Sequence, residues 1–120
     1  MRCKLIGLHS PDIGNVNLSV WLPEVEDCFG ILVQMFVDAD ILGNEESFDF
    51  ILCTPKWLAE EYQDREVVML RHHIMVHRYD YDVLHKRLTK LINTIDVASW
   101  NDAADKIGRV AHWEFEDYRE

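Results

Sequence analysis

The stretch FGILVQMFVD, residues 29–38, is followed after Leu42-Gly43-Asn44 by ESFDFILCT, residues 46–54, and this pair decides the fold. Phe48, Phe50 and Leu52 alternate with Asp49, Ile51 and Cys53, the period of two that sends successive strand side chains to opposite faces. Gly43-Asn44 can supply the positive φ that a reversal requires. The expectation is an antiparallel hairpin, with Asp38, Asp40, Glu45 and Glu46 around its tip.

Upstream, Leu5, Ile6 and Leu8 suggest a first strand over residues 3–9, stopped at Ser10-Pro11-Asp12 because proline has no N–H for a ladder. Residues 15–22, flanked by Gly14 and Pro23, read equally as a short edge strand or a packed loop. Downstream, Thr54-Pro55 reads as a helix start, with the Thr hydroxyl as N-cap and a short helix ending near Asp64. The run VVMLRHHIMV, residues 67–76, reads as another β segment. Asp80 then caps a helix whose Leu84, Leu88, Leu91, Ile92 and Ile95 recur at helical spacing. Ser99-Trp100-Asn101-Asp102 resembles a capping box opening a last helix, with Ala103, Ala104, Ile107 and Ala111 inward. In HWEFEDYRE, Trp113 and Phe115 alternate with Glu114 and Glu116, as in a short strand or extended tail. Together these imply one α+β domain over residues 1–120, a mainly antiparallel sheet with two to three helices packed on one face.

Composition narrows the function. With 48% hydrophobic and 28% charged residues the chain is expected to fold, and its longest nearly apolar run, residues 29–37, falls well short of the ~20 needed to span a bilayer. The start, MRCKLIGLHSPD, has no secretory pattern, so a cytoplasmic location is expected. Twelve Lys plus Arg against 22 Asp plus Glu leave a formal charge of -10, which disfavours nucleic acid and anionic membranes as partners. Between Lys4 and Lys56 there are nine acids and no Lys or Arg. A cationic partner complements such a surface, while solubility alone is the plainer explanation. The segment WEFEDY, residues 113–118, joins three aromatics to three acids, so anchored rings would hold Glu114, Glu116 and Asp117 outward at reduced entropic cost on binding.

Reactive chemistry finds little support. Cys3, Cys28 and Cys53 have no ligand spacing and read as thiols. In RHHIMVH, His73 and His77 would sit about 13 Å apart on one strand face, too far to chelate one ion unaided. The acid pairs Asp80/Asp82 and Glu60/Glu61 are explained by capping and by a solvated helix face. There is no GxSxG, Walker-type or GxGxxG motif. No catalytic residue, metal or cofactor is expected, and a small carboxylate-dependent hydrolase ranks last.

LHSPD (residues 8–12), ESFDFILCTPKWLAE (46–60), RHHIMVHRYDYD (71–82) and GRVAHWEFEDYRE (108–120) together resemble the bacterial immunity protein 8 family of polymorphic toxin systems. The resemblance implies a small cytoplasmic α+β protein that binds and neutralises the C-terminal domain of a cognate toxin by stoichiometric complex formation. With the charge distribution, it suggests a basic toxin, a nuclease for instance, met by Asp38, Asp40, Glu45, Glu46, Asp49, Glu114, Glu116 and Asp117. The alternative is a generic acidic interaction module without a toxin partner.

Overall fold

A computed structural model of the chain describes residues 1–39 and 45–115. The strands are β1 (Cys3–Ser10), β2 (Val16–Asn17), β3 (Gly30–Ala39), β4 (Glu45–Cys53), β5 (His73–Met75) and β6 (His112–Trp113). The α-helices are α1 (Pro55–Glu61), α2 (Tyr81–Asn93) and α3 (Trp100–Ile107). Strand order is β2-β1-β3-β4-β5, with β6 also on β4. The expected hairpin is present: β3 pairs antiparallel with β4 from Gly30↔Cys53 to Asp38↔Glu45. Its turn, with Asp40 and Leu42-Gly43-Asn44, lies outside the described residues. Because β3 occupies one edge of β4 throughout, β5 and β6 share the other, β5 parallel at Ile51–Cys53 and β6 antiparallel at Phe48 and Asp49.

One sheet face is the core. Leu8, Val33, Met35, Val37, Phe48, Phe50 and Leu52 are buried there at 1% exposure or less, each burial stabilising by about 1.5–3 kcal/mol before ordering entropy is counted. Leu84, Leu88 and Ile92 of α2, with Ala103, Ala104 and Ile107 of α3, complete the cluster. Both helices start as the caps imply, Asp80 accepting from the Val83 N–H and Ser99 from that of Asp102, each at 3.2 Å. An edge-to-face trio of Trp21, Phe29 and Tyr79 closes one end, where the Tyr79 hydroxyl donates to the Leu18 carbonyl at 2.7 Å.

Several local expectations change. Residues 15–22 form both a two-residue edge strand, β2, and a 3-10 turn at Leu18–Val20. Thr54 precedes α1 without capping it, since its hydroxyl turns to the Phe29 backbone, accepting from N–H at 3.1 Å and lying 3.4 Å from the carbonyl. Within residues 67–76 only His73–Met75 pairs as a strand. A parallel β5 extended backwards would run beside Asp49 and Phe48, but β6 occupies that edge. The chain breaks from extended backbone at His72, φ 59°, whose Nε2 donates to the Gly108 carbonyl at 2.8 Å.

Candidate functional site

Register decides where the acids go. Val37 and Phe48 face the core, so Asp38 and Asp49, one residue along, face the opposite side, and Glu45 joins them as the register partner of Asp38. Glu46 does not: paired with the buried Val37, it points to the helix side, where its carboxylate accepts from the Trp113 indole N–H at 3.3 Å. Trp113 in turn stacks on Phe48 at 6.3 Å and meets Trp100 edge-on at 6.0 Å. That docking places the exposed Glu114 directly after the segment that pairs with the β4 edge at Phe48 and Asp49. Asp40, Glu116 and Asp117 lie outside the described residues.

Lys4 lies across from Asp38, a neighbour hidden by sequence distance, yet among the described residues no ion pair involves Asp38, Glu45, Asp49 or Glu114. Ser47 donates to Asp49 at 3.2 Å, and one Asp38 oxygen, Oδ1, is shielded from solvent without a hydrogen-bond partner among the described residues. Leaving an acceptor in that state typically costs about 1–3 kcal/mol.

These acids border the sheet face that α2 and α3 leave uncovered. Among the described residues it carries Leu32, Gln34, Phe36 and Asp38 from β3, Ser47, Asp49 and Ile51 from β4, and Gly7 and His9 from β1. The register shift between Leu5 and Gly7 adds Ile6, 44% exposed. One row aligns Asn17, His9, Gln34, Asp49 and His112 across five strands. At the far end Trp57 of α1 lies over Gly30, where a Cβ would come within 2.2 Å of its ring. Sequence reasoning missed this face, although its signal was printed in β3: apolar Leu32 and Phe36 sit out of phase with the core series.

Elsewhere the polar groups serve structure. His73, level with Ile51, donates from Nδ1 to the Arg71 carbonyl at 2.9 Å, and its Nε2 shares a hydrogen bond with the Tyr62 hydroxyl at 3.2 Å. Lys56, 2.9 Å from Asp27, holds that carboxyl below its usual range. Burial pushes the Cys28 and Cys53 thiols up, towards the less nucleophilic protonated form. Among the described residues no three His, Cys, Asp or Glu side chains gather as metal donors, and no helix is long and apolar enough to cross a membrane. The arrangement offers an acidic, partly apolar surface suited to a macromolecular partner.

Comparison with known proteins places the chain in a family. The family model described as Immunity protein 8 matches residues 4–118, nearly the whole chain. No curated protein and no solved structure matches.

Proposed function

The chain belongs to the immunity protein 8 family, which makes it an immunity protein of a toxin system with a cognate toxin as partner, and from that premise we propose how it acts. It binds the toxin's C-terminal domain as a stoichiometric, non-catalytic inhibitor in the cytoplasm and presents its acidic surface to a cationic groove. Toxins that act on nucleic acid need such a groove for their polyanionic substrate, and a nuclease is the target we infer. The observation that carries this reading is the end of the β3–β4 hairpin, where Asp38, Glu45, Asp49 and the neighbouring Glu114 make no ion pair among the described residues. Asp40, Glu116 and Asp117, next to them in sequence, belong to the same proposed contact. Glu46 supports it through Trp113.

The test is charge reversal at exposed positions. Glu45→Lys with Glu114→Lys removes two negative charges and adds two positive ones without touching the Glu46–Trp113 bond. Exposed charges contribute at most about 1 kcal/mol to folding, so the fold should persist. Association with the cognate toxin domain should slow by on the order of 10-fold at low salt, and its salt dependence should flatten. Unchanged rates at both low and moderate salt would reject the acidic-decoy mechanism. In cells, co-expression of the intact chain with that toxin domain should restore growth, and failure to rescue would remove the assignment itself.

A further inference from the structure

We infer that the uncovered sheet face is the docking surface for the toxin domain, and that the toxin meets it with an apolar side chain flanked by cationic ones. This rests on the toxin-neutralising reading and adds a place and a chemistry to it. A strand with one face in water normally alternates apolar with polar residues, yet here the phase opposite the core holds the half-buried Leu32 and Phe36 on β3, the half-buried Ile51 on β4 and the exposed Ile6 at the β1 bulge. Trp57 lies over this face at the Gly30 end, and Tyr62 borders it beside His73, the β5 partner of Ile51, which leaves the stretch from Gln34 to Asp38 clear of α1.

The layout is that of an interface before its partner arrives. Ile6 and Phe36 lie beside the polar row of His9, Gln34 and Asp49, with Leu32 and Ile51 on its other side. The acids Asp38 and Glu45 then form a rim at the hairpin end. Apolar centre and charged rim are the usual anatomy of a specific contact. From Leu32 to Asp38 the face runs about 20 Å, and five strands make it roughly as wide, near 400 Å² in projection. A standard interface takes about 800 Å² per partner, so the face supplies its centre while α1 and the Glu114 edge complete it. The rim's sign selects the occupant. A cationic toxin domain neutralises Asp38, Glu45 and Asp49, whereas a second copy of this chain would bring two acidic ends into one interface.

The experiment measures the affinity of the intact chain for the toxin domain encoded beside it, with melting midpoints as the folding control. Phe36→Ala should weaken Kd by about 30-fold or more, the scale of a central anchor, and Phe36→Leu should recover most of the loss. Ile6→Ser, on a bulge and already 44% exposed, should cost several-fold and keeps the test valid if Phe36→Ala unfolds. Leu22→Ser, 82% exposed on the loop after the Leu18–Val20 turn, should bind as the parent does. Parent-like affinity in both Phe36→Ala and Ile6→Ser would overturn the face while leaving the toxin reading intact. A parent chain that does not bind the toxin domain would sink both readings. A parent dimer that Ile6→Ser splits into monomers would assign the face to self-association and overturn the proposal.

Discussion

Replacing Trp113 with alanine should both loosen the fold and displace an acid from the contact surface. The ring stacks on Phe48, meets Trp100 and Phe115 edge-on, and donates to Glu46 at 3.3 Å. Trp→Ala at a fully buried site costs about 3–5 kcal/mol, and the half-buried Trp113 should cost about 2–3. The aromatic pairs, about 0.5–1.5 kcal/mol each, and the hydrogen bond, about 1, lie inside that figure. At an unfolding entropy of about 2.1 cal/mol/K per residue, 1 kcal/mol corresponds to roughly 4 °C in a chain of this length. The midpoint in near-ultraviolet circular dichroism should therefore fall by about 8–12 °C. Trp113→Phe, which keeps the stack but removes the N–H, should lose only about 1 kcal/mol. A Trp113→Ala midpoint within about 2 °C of the parent would show that β6 is not docked on β4, and the place of Glu114 in the proposed contact would go with it.

Other consequences are equally concrete. Burial pushes the Tyr79 hydroxyl up to about 12, so above pH 10 the unfolded chain releases this proton before the folded one does. Stability should therefore hold below the ordinary tyrosine range and fall by on the order of 2–3 kcal/mol between about pH 10 and 12. Tyr81, also pushed up by burial, adds in the same direction, and urea titrations of Tyr79→Phe should show a shallower alkaline decline; an identical decline would refute the role given to Tyr79. Gly30→Ala should cost about 1–3 kcal/mol because its Cβ meets the Trp57 ring, and adding Trp57→Ala should cancel most of the new penalty. Simple additivity in that double-mutant cycle would contradict the close approach.

The hairpin and α2 were legible because their signals are local. Residues 31–39 alternate buried and half-buried in register with Phe48, Phe50 and Leu52, and Leu84, Leu88 and Ile92 recur on one helical stripe. What stayed hidden depends on pairing between distant segments. Nothing near residues 67–72 announces that β6, some 40 positions later, already holds the edge their strand would need. A Thr-Pro pair reads as a cap until the Phe29 backbone arrives to claim the hydroxyl. Likewise Lys4 is remote from Asp38 until β1 pairs with β3, and Glu46 reads as one more surface acid until the Trp113 indole reaches it. The acidic composition was plain, but the separation of Glu46 from Asp38, Glu45 and Asp49 is a property of register.

The central claim is neutralisation by one-to-one occupation of the toxin, and titration of the toxin domain's own activity against the intact chain tests it most directly. With toxin concentration well above Kd, activity should fall linearly and reach background at one chain per toxin domain, and Glu45→Lys with Glu114→Lys should reach that endpoint more slowly after mixing. Full toxin activity at a several-fold excess of the chain would contradict the account, as would inhibition complete at a small fraction of one equivalent, which would require turnover instead of occupation.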